Sequence, residues 1–100
     1  MNIVNVLKAL ANEKRFQILE YLKEPEKHFL PDAQPCNMQE GICVGLIERK
    51  IGLSQSTVSQ YLAQLQQVGL IHMERRGQWT FCQLNRPLLQ QFIQELNQRL

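Results

Sequence analysis

Within residues 44–84, two short segments have apolar residues at helical spacing. A tight glycine turn separates them, so they are predicted to form two helices and not one. The first segment covers Val44–Ile51, and Gly52 is placed to end it. Ser54 is a favourable N-cap for the second, which extends to residue 68 with Val58, Leu62 and Leu65 on one face. We therefore expect two crossed helices, the first supporting the second.

Two strand-like segments follow these helices. Residues 70–74 and 79–84 are rich in apolar and aromatic side chains, and the segment Arg75-Arg76-Gly77-Gln78 separates them. This pattern predicts a β-hairpin with a basic tip. A helix, a tight glycine turn, a helix and a basic hairpin, in this order, indicate a winged helix-turn-helix, in which the second helix can enter the DNA major groove.

Apolar helices are predicted at both ends of the chain. Residues 3–10 have a short apolar stripe, Asn12 can cap a helix over 13–23, and residues 88–100 follow Pro87 with a broad apolar stripe. Residues 24–41 contain three prolines and are predicted to form a long loop.

Because 100 residues accommodate one core, we expect one domain over residues 1–100. It is mainly α with a small β-hairpin, in the order α-α-α-α-β-β-α.

Charge and composition narrow the classes of function. The net charge is +2, and residues 44–86 hold five Lys or Arg against two Glu, which suits a polyanionic partner. The longest apolar run, residues 42–47, is far below the roughly 18 residues that span a bilayer. The N-terminus lacks the charged-then-apolar order and the small-residue cleavage site of an export signal. We therefore expect a cytoplasmic chain with no membrane partner, and its cysteines as thiols.

The second helix of the pair is the candidate for reading DNA bases. It carries no charged residue from Ser54 to Val68, and its polar groups are hydroxyls and amides that can hydrogen-bond to base edges or phosphates. The flanking cations Arg49 and Lys50, together with those of the hairpin, would neutralise phosphates. The candidate DNA-binding residues are Ser54, Gln55, Ser56, Thr57, Ser59, Gln60, Arg75 and Arg76.

Three segments resemble the ArsR/SmtB family of bacterial repressors. They are LKALANEKRFQILEYL (7–22), CVGLIERKIGLSQSTVSQYLAQLQQVGLI (43–71) and RRGQWTFCQL (75–84), so the resemblance covers nearly the whole chain. It implies a homodimer held by the first and last helices, a winged-helix DNA-reading head, and release from double-stranded operator DNA when a metal ion or another inducer is sensed.

The resemblance does not identify the inducer. Many arsenic, cadmium and lead sensors of the family carry Cys-Val-Cys where this chain has Cys43-Val44-Gly45. The family's zinc-type site on the last helix needs Asp and His, and residues 86–100 contain neither. The three cysteines also form no CxxC motif, which argues against a structural zinc site.

Cys36 and Cys43 are the candidate sensing residues. Their thiolates could hold a thiophilic metal or metalloid ion, with Cys82 or a group of the other subunit as third ligand. They could instead form a reversible disulfide or polysulfide bridge, which would make the chain a redox-sensing repressor without metal. A third interpretation is that Cys43 only packs in the core and Cys36 has no role.

Two other classes of function remain as alternatives. A winged helix can serve as a protein-interaction module, because fold alone does not determine function; the arginines at 75 and 76 and the uncharged helix favour DNA instead. An enzyme is not expected, because no Cys/His pair lies within one rigid element that could activate a thiolate.

Overall fold

The computed structural model describes residues 1–29 and 41–100. These residues form a mainly helical fold with a small antiparallel sheet, as the sequence predicts. In chain order the elements are α1 (Ile3–Leu10), α2 (Glu13–Lys23), α3 (Pro25–His28), β1 (Ile42–Cys43), α4 (Val44–Ile51), α5 (Gln55–Gln67), β2 (Ile71–Arg76), β3 (Trp79–Leu84) and α6 (Arg86–Arg99).

Side-chain caps and glycines determine where the helices begin and end. Asn12 Oδ1 accepts hydrogen bonds from the backbone N–H groups of Lys14 and Arg15, both at 3.0 Å, and so starts α2. Gly52 ends α4 in the left-handed conformation, with φ at 73°. Gly69 follows α5 with φ at 86°. Both positive φ values favour glycine, because a Cβ would strain the backbone there.

The sheet has the order β1-β3-β2, and both pairings are antiparallel. In the β2–β3 hairpin, Arg76 lies opposite Trp79, so Gly77 and Gln78 form a two-residue turn. Gly77 supplies the positive φ of 61° that such a turn requires at its first position. We call this hairpin, residues 71–84, the wing. β1 adds a second partner to β3, with Cys43 opposite Phe81.

The core brings the helices and the sheet together and determines the position of α5. Val58, Leu62 and Leu65 of α5 are fully buried, together with Ile18 of α2 and Ile47 of α4. These residues recur at helical spacing, so one face of α5 packs inward and the other is left outside. α5 contacts α1, α2, α4 and β2. Within residues 1–29 and 41–100, these contacts with α1, α2, α4 and β2 hold α5 in place.

The structure corrects three details of the sequence-based prediction. Residues 25–28 form the short helix α3, although the sequence predicts a loop there; Pro25 suits the first turn of a helix. Residues 42 and 43 form β1, which local periodicity does not predict because a two-residue strand depends on its partner. Arg75 and Arg76 lie in β2 and not in the turn, which consists of Gly77 and Gln78.

No helix within residues 1–29 and 41–100 is long and apolar enough to cross a membrane. The loop predicted over residues 24–41 falls largely on residues 30–40, which are outside the described residues, and Cys36 is among them.

Candidate nucleic-acid interface

Helix α5 presents most of the predicted base-reading residues on its exposed face. Ser54, Gln55, Ser56, Ser59 and Gln60 are exposed, and Thr57 is half-buried. The side chains on this face are hydroxyls and amides, which can both donate and accept hydrogen bonds. The N-terminal half of α5 therefore offers a polar, uncharged surface of the kind that reads base edges.

Two of the predicted hydroxyls take part in the cap of α5. Ser54 Oγ accepts a hydrogen bond from the backbone N–H of Thr57 at 3.2 Å and donates one to Thr57 Oγ1 at 2.8 Å. Ser54 Oγ also lies 3.3 Å from Ser56 Oγ. The cap orients these hydroxyls at the positive end of the helix dipole, where a phosphate is favoured. Ser54 and Thr57 thus have a structural role in addition to the predicted DNA contact.

The two arginines of the wing differ in their contacts. Arg76 forms two hydrogen bonds with the carboxylate of Glu74, at 3.1 and 3.0 Å, and its guanidinium carbon lies 5.5 Å from the ring centroid of Phe81. Arg75 Nε donates a hydrogen bond to the backbone carbonyl of Gly77 at 3.1 Å. The hydrogen bonds and charge of Arg76 lower the pKa of Glu74. Glu74 therefore offsets part of the positive charge of the wing by pairing with Arg76, and this pairing is not predicted from the sequence.

A cavity of about 320 Å³ separates the N-terminal half of α5 from the wing. Gln55 and Ser59 line it from α5, and Gln78 and Trp79 line it from the wing. Trp79 is 42% exposed, which is unusual for so large an apolar side chain. From the sequence, Trp79 is predicted only as a strand residue; its place next to the hairpin turn is the signal that could have identified it as part of the interface. The predicted base-reading residues and the wing therefore share one surface.

The last turn of α4 adds further positive charge. Arg49 and Lys50 are both exposed, and Lys50 Nζ lies 5.8 Å from the ring centroid of Tyr21 on α2. Together with the arginines of the wing, they place cations on elements before and after α5. Such an arrangement suits the phosphates on either side of a groove.

Cys43 lies at the junction of β1 and α4. It is the last residue of β1, the N-cap residue of α4 and the partner of Phe81 in β3, and it is 3% exposed. Cys82 is fully buried opposite Ile42 and Met73. Within residues 1–29 and 41–100, no three His, Cys, Asp or Glu side chains come together to hold a metal ion. Cys36, the predicted partner of Cys43, lies outside the described residues.

Comparison with known proteins identifies relatives of the whole fold. Residues 38–73 match the family described as "Bacterial regulatory protein, arsR family". The HTH-type transcriptional regulator YbzH of Bacillus subtilis is 47% identical over 81 residues, which is 81% of each chain. The transcriptional activator HlyU of Vibrio cholerae is 33% identical over 94% of this chain and 73% of its own length.

Solved structures agree with these sequence relatives. The HlyU structure from Vibrio cholerae has a TM-score of 0.66 at 32% identity and covers 95% of this chain and 87% of its own. A solution structure of a homodimeric winged helix-turn-helix DNA-binding domain from Mycobacterium bovis has a TM-score of 0.68 at 25% identity. It covers 96% of this chain and 78% of that one. The winged helix-turn-helix prediction is confirmed.

Proposed function

Because this chain belongs to the arsR family of bacterial regulatory proteins, and is thus a DNA-binding transcriptional regulator, we propose that it acts as a homodimeric, operator-specific repressor in the cytoplasm, without enzymatic activity. The observation that carries the proposal is the exposed polar face of α5 beside the basic wing. In this arrangement Gln55, Ser56 and Gln60 read bases, and Arg75 and Arg76 bind the DNA backbone or its minor groove. A bound dimer represses by occupying the promoter.

An apolar face on α1 and α6 supports the homodimer. Val4, Leu7 and Ile93 are 50%, 41% and 55% exposed on the neighbouring helices α1 and α6, and apolar side chains exposed together are typical of a surface that a partner covers. A groove of about 590 Å³ between α2 and α6, lined in part by Phe16 and Leu89, extends this face. The related Mycobacterium bovis domain is homodimeric. A second copy of the chain is therefore the proposed occupant of this face.

Selection from a random duplex library tests the division between base reading and backbone binding. The parent should select an imperfect palindrome. Arg75→Ala combined with Arg76→Ala should weaken binding to all duplexes and flatten its salt dependence, because phosphate contacts release counterions. Gln55→Ala should mainly relax the base preference, by about 1–3 kcal/mol for each lost good contact. If the arginine variant changed the base preference and Gln55→Ala did not, the assignment of base reading to α5 would be wrong.

We further propose that Cys43, together with Cys36, governs release from the operator. Its position supports this role, because a ligand or bridge on Cys43 would act on α4, which supports α5, and on β3 of the wing. The inducer is either a thiophilic metal or metalloid ion held by thiolates, or an oxidant that takes two electrons from the two thiols as they form a disulfide. The coupling between sensing and DNA binding should be of the usual size, about 5- to 150-fold in affinity.

Titration of operator binding with arsenite, cadmium, peroxide and a polysulfide tests the sensing proposal. Cys43→Ser and Cys36→Ser should bind DNA like the parent when reduced and metal-free, and should stay bound when the parent is released. Cys82→Ser is the matched control and should be released normally. Normal release of Cys43→Ser by every reagent would leave Cys43 as a packing residue of the core.

A further inference from the structure

Arg15, in the first turn of α2, contacts both α1 and α5. Its Nε donates a hydrogen bond to the backbone carbonyl of Ala9 at 2.7 Å, and its Nη2 donates one to the carbonyl of Lys8 at 3.3 Å. Both carbonyls belong to the last turn of α1, where a cation is favoured by the helix dipole. The guanidinium carbon also lies 5.3 Å from the ring centroid of Tyr61 in α5.

The contact between α1 and α5 is open in the region next to Arg15. A solvent-open groove of about 570 Å³ lies there, lined by polar side chains of both helices that include Asn5, Lys8, Gln64 and Gln67, and by Arg15 itself. The side chains along this groove do not form a close-packed contact between the two helices, whereas Val6 and Ala9 of α1 are buried in the core. The angle between α1 and α5 therefore depends on polar links across the open region as well as on the apolar core.

We propose that Arg15 is a positioning residue: by linking the end of α1 to Tyr61, it sets the orientation of the reading helix relative to the dimer face. This inference rests on the proposed homodimer. α1 carries Val4 and Leu7 of the apolar face, and Tyr61 follows directly after the proposed base-reading residue Gln60. Arg15 thus joins the helix that contacts the second protomer to the helix that contacts DNA.

The consequence for DNA binding is control of half-site spacing. Two reading helices must enter the major groove about one helical turn, 34 Å, apart or a multiple of that distance apart. Displacing one half-site by two base pairs rotates it by about 70° around the DNA axis, since one turn takes about 10 to 10.5 base pairs. A dimer with firmly oriented reading helices should reject such a duplex. A dimer whose α1–α5 angle is loose should bind the correct spacing less well and discriminate less against the wrong one.

The experiment measures binding to three duplexes built from the palindrome that the parent selects. One duplex has the selected spacing, one has its half-sites moved apart by two base pairs, and one contains a single half-site. We expect Arg15→Gln and Tyr61→Leu to bind the selected spacing about tenfold more weakly, within the range of ordinary coupling between sites. Their preference for the selected over the shifted spacing should fall by a similar factor. Their affinity for the single half-site should stay close to that of the parent.

Matched variants separate positioning from stability. Lys14→Gln removes one positive charge from the same turn of α2 and should behave like the parent, as should Tyr61→Phe, which keeps the ring. The double variant Arg15→Gln with Tyr61→Leu should lose no more affinity or spacing preference than the more affected single variant, because each substitution removes the same link. If Arg15→Gln fails to fold, Tyr61→Leu still tests the proposal, because it leaves the two carbonyl hydrogen bonds in place.

The outcomes distinguish this proposal from the function on which it rests. A parent that selects no spaced palindrome, or that is monomeric at micromolar concentration, contradicts the proposed function. A parent that selects one, with Arg15→Gln and Tyr61→Leu keeping its full spacing preference, overturns the positioning role alone. Equal losses on all three duplexes, in proportion to a fall in melting temperature, would also overturn it and leave Arg15 as a stabilising residue only.

Discussion

At the scale of single residues, Gly41 shows how closely the strand before α4 approaches β3. Its φ is +122°, and a Cβ at this position would lie 2.8 Å from the backbone oxygen of Cys82. Gly45, in the first turn of α4, has an ordinary φ and no atom within 4 Å of an added Cβ. The two glycines lie four positions apart in the chain but have opposite requirements.

We expect Gly41→Ala and Gly45→Ala to change stability in opposite directions. Gly41→Ala should destabilise the fold by about 1–3 kcal/mol or more, because the strained backbone and the contact with a backbone atom cannot both be relieved. Gly45→Ala should stabilise α4 by up to about 1 kcal/mol, since alanine loses less backbone entropy in a helix. Urea unfolding of the two variants measures both. If Gly41→Ala left the stability unchanged, the close approach of residue 41 to the backbone of β3 would not be required for the fold.

At the scale of elements, the wing carries its own internal charge compensation. Glu74 and Arg76 lie on the same face of β2 and pair with each other, and the pair is exposed. Because the pKa of Glu74 is lowered by Arg76, the pair is present at neutral pH and is lost only as the pH falls through that lowered value. An exposed pair of this kind adds little stability. Its effect is therefore on the charge that the wing shows to DNA.

Glu74→Gln should strengthen DNA binding regardless of sequence. The substitution releases Arg76 from its carboxylate partner, so one more cation becomes available for a phosphate. The slope of log affinity against log salt should become steeper by about one unit. Gln78→Glu, which adds a carboxylate at the turn, should have the opposite effect. Fluorescence anisotropy with random and selected duplexes at several salt concentrations measures both; an unchanged slope for Glu74→Gln would place Arg76 away from the phosphates.

At the scale of the whole molecule, the two proposed interfaces lie on different helices. The reading face is on α5 and the wing, and the apolar face is on α1 and α6. The core between them is continuous, since α1 contacts both α5 and α6. A change at the proposed dimer face can therefore reach α5 through α1.

Leu7→Glu and Ile93→Glu should each prevent dimerisation. Both side chains are exposed in the protomer, so a carboxylate there is hydrated until a second copy covers it, and burial of an unpaired charge is costly. Light scattering should show monomers at micromolar concentration, and affinity for the selected palindrome should fall to that of a single half-site. Gln94→Glu, an exposed neighbour of Ile93, adds the same charge and serves as the control. If both apolar variants still formed dimers, the dimer interface would lie elsewhere on the chain.

The features predicted from sequence are those that short-range physics decides. Asn12 and Ser54 cap their helices as expected, Gly52 ends α4, and the apolar spacing of α5 assigns its buried and exposed faces. Each depends on hydrogen bonds and periodicity within a few residues. The order of the helices and the hairpin predicts the winged helix-turn-helix, and the related solved structures confirm it.

Only the tertiary structure decided the features that join distant parts of the chain. β1 exists because β3 offers it a partner, and that pairing buries Cys43 beside Phe81. Arg15 and Tyr61, which are in contact, lie 46 positions apart in the sequence. Such contacts leave no periodic signal in either segment, because their energy depends on atoms that folding alone brings together. The sequence by itself thus determined α1, α2, α4, α5, the hairpin, α6 and the exposed polar face of α5, whereas tertiary contacts determined β1 and the orientation of α5.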